Sequence, residues 1–355
     1  MQLIVTPRPV HTRHPFRIAR GESREFPTVT VTLRDTDGVT GIGEAAPSRF
    51  YDETTETVCS ALESWRDLLA RTDGWSIEAI ERAIGVGEAR DTAAKAAVSA
   101  ALHDLAGKRL GVPLWRLWGL EPTVRTHSSF TIAIAPDDAV LAERVREAVA
   151  AGYPLLKVKL GSPRDREILA VVRRAAPDVR LRVDANAAWT ADDAIAMLPA
   201  LEAAGVEALE QPCARDDIAG LRRVTARASL PVIADESCRL ANDVPRLVGA
   251  VDGINIKLAK CGGLREAMRL IAVARAHDLR VMCGCMIESS LGITAAAHLA
   301  SLLDDADLDG AALLADDPFV GATIDRGVIA VPTGAGLGVV LRDASTGRTV
   351  EVAQS

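Results

Sequence analysis

The segment Thr28-Val29-Thr30-Val31-Thr32-Leu33 alternates polar and apolar residues, a period of two that sets one face of a strand against a core. Asp35-Thr36-Asp37-Gly38 supplies turn chemistry after it, and Val39 to Ile42 can return as the partner strand, so the N-terminal stretch predicts a small antiparallel sheet. The period then lengthens. Thr54 to Arg71 and Asp91 to Lys108 carry apolar residues three and four apart, as amphipathic helices do, and Gly111 with Pro113 stops the second. Together these elements predict an α+β domain over residues 1–120.

From about Thr126 short aliphatic or β-branched runs alternate with amphipathic helical stretches, the repeat of a parallel barrel. The predicted strands are Phe130 to Ile134, Leu155 to Lys159, Leu181 to Asp184, Ala208 to Glu210, Val232 to Asp235, Gly253 to Lys257, Arg280 to Cys283 and a weak one near Asp307. Eight strands suit an α/β fold, a (β/α) barrel over residues 121–317. Residues 318–355 hold Gly-rich turns and short pieces such as Gly327 to Val331, too irregular for another βα unit, and are expected to fold back onto the first domain.

Composition narrows the function. A chain of 355 residues is long enough for a barrel, which alone takes roughly 250 residues, plus an added domain. Its 48% hydrophobic and 3% aromatic content predicts an aliphatic core. A net charge of -7 offers a polyanion no attractive long-range field, so nucleic acid is not an expected partner and a small substrate is. Neither a signal-peptide layout nor an apolar run of membrane-spanning length is present, which gives the expectation of a cytoplasmic enzyme without membrane attachment. A homo-oligomer is expected. The six cysteines have neither zinc-knuckle nor CxxC spacing and are expected to be buried free thiols.

The candidate chemistry lies in the polar residues that end the barrel strands. These are Lys157 and Lys159, then Asp184, Glu210 and Asp235, then Lys257, in the order basic, acidic, acidic, acidic, basic. From Lys159 onward the steps are 25, 26, 25 and 22 residues, each close to one βα unit. The residues are therefore expected at equal height on successive strands, at the C-terminal rim where barrel active sites lie. Three converging carboxylates repel one another unless a hard dication compensates them, and Mg²⁺ suits oxygen ligands with positions left open for substrate. Lysines before and after the acidic strands can flank such an ion from opposite sides, an arrangement that suits stereochemical inversion.

The ordered set Lys-x-Lys, Asp-x-Asn, Glu-Gln-Pro, Asp-Glu-Ser and Asn-Ile-Lys-Leu-x-Lys-x-Gly-Gly resembles the muconate-lactonizing subgroup of the enolase superfamily over most of Thr126 to Gly310. Gly43-Glu44-Ala45-Ala46-Pro47 and His103 to Lys108 resemble segments of that family's capping domain. The resemblance implies a capping domain over the barrel mouth and Mg²⁺ held by Asp184, Glu210 and Asp235. It also implies Lys159 and Lys257 as acid/base groups on either side of an enediolate, with Lys157 binding carboxylate and tuning their pKa.

Within the subgroup, Asp307-Leu308-Asp309-Gly310 resembles the Asp-x-Asp element of dipeptide epimerases, which holds the substrate's free α-ammonium. Glu288 in Met286 to Ser289, Thr131 on the first strand and Asn186 in Asp-Ala-Asn are further candidate substrate contacts. Pro15 to Arg24 resembles the specificity loop, where Arg17, Arg20 or Arg24, with Arg24 foremost, could meet a side-chain carboxylate such as that of an Ala-Glu substrate. Ala187-Ala188 departs from the commoner pattern of the family. The expected activity is epimerisation of a dipeptide. The alternatives are N-acylamino acid racemisation, o-succinylbenzoate synthesis, muconate cycloisomerisation or dehydration on the same frame, or a non-catalytic small-molecule-binding barrel.

Overall fold

Five strands lead the chain, β1 (Gln2–Pro7), β2 (Val10–Ile18), β3 (Gly21–Phe26), β4 (Val29–Arg34) and β5 (Thr40–Ala45). In the computed structural model, which describes residues 1–123, 126–342 and 349–350, the alternating segment becomes β4, the middle of a three-stranded sheet ordered β1-β4-β5. Val29, Val31 and Leu33 point into the core as their period requires. Strands β2 and β3 pair separately as a hairpin that the periodicity did not announce. Strand β3 is exposed along most of its length, and the apolar positions Val10, Phe16 and Ile18 of β2 are interrupted by Thr12 and His14, so the sequence carries no unbroken apolar alternation.

Helices α1 (Thr55–Ser64), α2 (Arg66–Arg71), α3 (Ile77–Ala83) and α4 (Thr92–Leu110) follow. The single helix expected over Thr54 to Arg71 is two, because the Trp65 amide reaches back three residues to the Leu62 carbonyl (3.2 Å) and tightens the chain there. Helix α4 is buried along almost its whole length. It lies so close to β5 that a Cβ at Gly41 would stand 1.9 Å from the Ala101 carbonyl oxygen, and one at Gly43 2.1 Å from that of Ala97. Only glycine permits this approach.

The barrel strands are β6 (Phe130–Ile132), β7 (Leu155–Lys159), β8 (Arg180–Asp184), β9 (Val206–Glu210), β10 (Val232–Ala234), β11 (Gly253–Ile256), β12 (Arg280–Gly284) and β13 (Asp305–Asp307). All eight run parallel in chain order. The ring closes where Ser128 bridges Ala306, with the Ser129 amide donating to the Ala306 carbonyl at 3.1 Å. Strand β7 is buried on both faces: Leu156 and Val158 join the aliphatic core outside the barrel, while Lys157 and Lys159 share the opposite face.

The C-terminal segment returns to α4. The Leu114 amide donates to the Gly336 carbonyl (3.0 Å) and the Leu337 amide to the buried Asp104 carboxylate (2.7 Å), which also accepts from the Ile42 amide (2.9 Å). The piece expected near Gly327 to Val331 forms a strand over Val328–Ala330 against Thr323–Asp325. All six cysteines are free, but only four are buried; Cys59 and Cys285 are partly exposed, and Cys285 lines the cavity described next. No helix among the described residues is long and apolar enough to cross a membrane.

Candidate active site

A cavity of about 850 Å³ lies between the barrel's C-terminal rim and the β2–β3 hairpin, with Lys159, Lys257, Thr131, Asp307 and Asp309 on its barrel side. Below them Asp184, Glu210 and Asp235, on neighbouring strand ends, each offer a carboxylate oxygen, and these lie within 4.8 Å of one another. Lys159 donates to Asp184 and Lys257 to Asp235, each at 2.7 Å, so the two lysines flank the acidic set from either side. Lys157 is buried beneath, 2.6 Å from Glu210, 2.7 Å from Asp307 and 3.2 Å from Asp184.

Burial acts on every charge here and the neighbours decide the outcome. Burial alone would raise the Asp184 carboxyl, but Lys159 and Lys157 hold it below its ordinary range. Asp235 is likewise held well below, against burial, by Lys257 and Lys260. Glu210 is pushed up to about 7 by burial and by Asp184. Burial would lower the Lys257 ammonium, but Asp235 and Glu210 keep it above its ordinary value.

The acids are also fixed in orientation. Lys260, one turn past Lys257, donates to Asp235 Oδ1 (2.7 Å) and to the Asp235 and Asn255 carbonyls (2.6 and 2.7 Å). Asn255 Nδ2 holds Glu210 (2.9 Å), and Gln211 Oε1 accepts from the Asp235 amide (2.8 Å). These partners went unassigned in the sequence, although Lys260, Asn255 and Gln211 all lie inside the strand-end motifs. Three buried carboxylates with all-oxygen donors fit a hard divalent ion. Asn186 Oδ1 and Asn255 Oδ1, buried beside them without a partner, add to that fit.

The other candidates fall in different places. Asn186 lines the cavity and turns back on the acids, its amide donating to Asp184 at 2.8 Å and Nδ2 at 3.2 Å. Asp309 lies two residues beyond the end of β13, at the start of a 3₁₀ turn, rather than on the strand with Asp307. Both nevertheless reach the cavity: Ser129 donates to Asp307 (2.6 Å), and the Thr131 amide and hydroxyl donate to Asp309 (2.6 and 3.3 Å). Burial and Asp307 push the Asp309 carboxyl up to about 7. Arg24 hydrogen-bonds back to the Thr12 and Arg13 carbonyls of its own hairpin (3.3 and 3.1 Å), whereas Arg20 at the hairpin tip lines the cavity.

Glu288 is buried at the seam between barrel and cap, accepting from the Met286 amide (2.8 Å). Beside it Glu44, from β5, accepts from the Ser289 amide (2.9 Å) and hydroxyl. Burial lifts Glu44 from 4.5 to about 8, with Glu288 adding to the rise. The folded protein therefore keeps a proton that the unfolded chain releases, and this contribution to stability is lost as pH rises from about 4.5 to about 8. Glu44→Gln mimics the protonated carboxyl, with one oxygen that can accept from the Ser289 amide and one donor toward the Ser289 hydroxyl oxygen, and does not titrate. Its Tm should fall less steeply than that of the parent across that window, and parallel Tm-against-pH curves would contradict the assignment.

The family described as mandelate racemase / muconate lactonizing enzyme, N-terminal domain, matches residues 1–119, and that described as enolase C-terminal domain-like matches residues 140–345. The chain belongs to this branch of the enolase superfamily. Among its relatives, the L-Ala-D/L-Glu epimerase of Bacteroides thetaiotaomicron is 38% identical over 342 residues, spanning 96% of this chain and 88% of the relative. The hydrophobic dipeptide epimerase of Roseobacter litoralis is 39% identical over 339 residues, 94% of this chain and 96% of the relative. The crystal structure of a dipeptide epimerase from Enterococcus faecalis complexed with Mg and L-Leu-L-Tyr superposes with a TM-score of 0.90 at 34% identity, covering 95% of this chain and 98% of that one.

Proposed function

We propose that this protein is a Mg²⁺-dependent dipeptide epimerase that inverts the α-carbon beside the substrate's carboxylate by proton transfer between Lys159 and Lys257. The observation that carries this reading is the pair of lysines on opposite flanks of the acidic set, facing one cavity with Asp307 and Asp309. When bound, Mg²⁺ on Asp184, Glu210 and Asp235 supplies the positive charge against which a second negative charge can form on a substrate carboxylate. Relatives that epimerise dipeptides, one of them solved with Mg and a dipeptide, support the same substrate class.

The chain's own groups divide the remaining work. One lysine, as the neutral amine, removes the α-proton and the other, as the ammonium, returns a proton to the opposite face; for Lys257 to serve as the base, the charges of Asp235 and Glu210 that hold it protonated would have to be taken up by the ion they would hold. Lys157 has carboxylates on all sides and acts as the counter-charge that keeps Glu210 and Asp307 in place. Asp307 is already engaged by Lys157 and Ser129, which leaves Asp309, lifted by its like-charged neighbour, as the carboxylate that gains most from an arriving ammonium. In this reading residues 1–120 and the C-terminal segment from residue 318 form the cap and residues 121–317 the barrel, with residues 124–125, 343–348 and 351–355 outside the described ones.

Incubation with a dipeptide library in D₂O should show mass gain at one α-carbon of the dipeptides that react. No exchange with any dipeptide, but exchange with N-acylamino acids, would move the assignment to racemisation. The Asp pair gives a finer test. Charge-assisted hydrogen bonds contribute roughly 1.5–3 kcal/mol, and about 1.4 kcal/mol is a factor of ten. Asp309→Asn should therefore lower kcat/KM for a free dipeptide by about tenfold or more, with activity on an N-acetylated amino acid spared, whereas Asp307→Asn, which removes a charge partner of Lys157, should lower both. Equal losses on both substrates from Asp309→Asn would make the pair a structural feature.

A further inference from the structure

The β2–β3 hairpin closes the cavity from above, and its contacts with the barrel converge on one side chain. Ala19 and Arg20 form its tip, between the paired residues Ile18 and Gly21. The Arg20 guanidinium donates to Glu236 Oε1 and to the Asn186 carbonyl, both at 2.7 Å, and lies 4.2 Å over the ring of Phe50, in the cap segment that follows β5. Glu236 is almost wholly buried, with its side chain 1% exposed, and it follows Asp235 directly. Asn186 stands two residues beyond Asp184, in the left-handed backbone region at φ 47°. One guanidinium thus joins the hairpin, a second cap segment and the two barrel loops that carry outer members of the acidic set.

The seat beneath the tip is made of small residues. A Cβ at Gly161, after β7, would stand 2.7 Å from the Cβ atoms of both Ala19 and Ala188. Gly161 itself has φ +94°, where glycine is favoured. The small side chain of Ala188 therefore leaves room for the hairpin tip. A second tie is the Ile134 amide, just past β6, which donates to the Arg17 carbonyl at 2.9 Å.

We propose that Arg20 is a positioning residue, the latch that sets the hairpin on the barrel mouth through Glu236 and the Asn186 carbonyl, and that it is not the counter-ion for an acidic substrate side chain. Its charge is already matched by a buried carboxylate, so a substrate carboxylate would have to displace that partner and leave Glu236 uncompensated. The cap-side wall around it joins the apolar side chains of Phe16, Ile18, Phe26 and Phe50 to four carboxylates, Glu22, Glu25, Glu53 and Glu56, which repel an acidic side chain, and to one further cation, Arg49. An apolar second side chain on the substrate meets that wall without breaking the latch. The substrate part of this inference rests on the dipeptide-epimerase reading above.

The test compares L-Ala-L-Glu and L-Ala-L-Leu as substrates for the parent, Arg20→Met, Arg20→Lys and Glu236→Gln, followed by α-proton exchange in D₂O. A latch acts before chemistry and on every substrate, so Arg20→Met should raise KM by about tenfold for both dipeptides, with a much smaller change in kcat. Arg20→Lys, which keeps the charge, should recover part of the loss. Limited trypsin digestion supplies an arm independent of catalysis: Glu236→Gln retains every arginine of the hairpin and should be nicked between Arg17 and Arg24 faster than the parent. A loss confined to L-Ala-L-Glu would overturn the proposal and make Arg20 the substrate's counter-ion, and unchanged KM for both dipeptides would overturn it as well. If the parent exchanges neither dipeptide, the functional reading fails, while the digestion arm still decides the latch.

Discussion

Lys159→Ala and Lys257→Ala should each lower the rate of dipeptide epimerisation by roughly 10²–10⁴-fold, the usual contribution of a positioned acid/base group. Exchange of the α-proton with solvent should behave differently. Each variant keeps one lysine on one flank of the acidic set, because Lys159 is held by Asp184 and Lys257 by Asp235. Each should therefore retain exchange for one substrate epimer and lose it for the other, with the two variants choosing opposite epimers. Proton NMR in D₂O with pure epimers reads this directly. Exchange of both epimers by both variants would show that the lysines do not divide the two faces between them.

Chelation of divalent ions should take turnover below detection, and Mg²⁺ should restore it. The structure adds that the fold should survive the treatment. Asp184, Glu210, Asp235 and Asp307 are met by Lys157, Lys159, Lys257 and Lys260, four carboxylates against four ammonium groups, through contacts of 2.6–3.2 Å. Buried carboxylates facing one another without such partners would cost several kcal/mol. Circular dichroism should thus stay unchanged on chelation while activity disappears, and Tm should rise on adding Mg²⁺ because the ion binds only the folded site. Full turnover in chelator-treated protein would sink the metal assignment; loss of secondary structure on chelation would mean that the lysines do not balance the acids as described.

Much of this site could be read along the chain because a parallel barrel repeats. Each βα unit brings the end of its strand back to the same rim, so Lys159, Asp184 and Glu210 are direct register partners on β7, β8 and β9, and Asp235 and Lys257 follow just past the ends of β10 and β11. The period of two places Lys157 and Lys159 on one face of β7 for the same local reason. The sheet of the cap was visible where apolar residues recur at every second position, as in β4, and invisible in the β2–β3 hairpin, where Thr12 and His14 interrupt them and β3 is largely exposed.

What the sequence by itself determined, then, is the set of residues whose positions follow from the repeat: eight barrel strands, three acids and the lysines around them. Only the tertiary structure decided which side chains meet when no repeat relates them. Arg24 and Arg20 are four residues apart on one hairpin, yet the turn between Ile18 and Gly21 sends Arg20 to the cavity and leaves Arg24 on its own backbone. The partner of Arg20 is 216 residues away, and that of Glu44 is 245. Asp309 reaches the substrate wall only because Thr131, 178 residues earlier, closes the barrel beside it. Such pairs are chosen by how the cap is seated on the barrel, a packing outcome of small residues such as Gly161, Ala19 and Ala188 rather than of any local pattern.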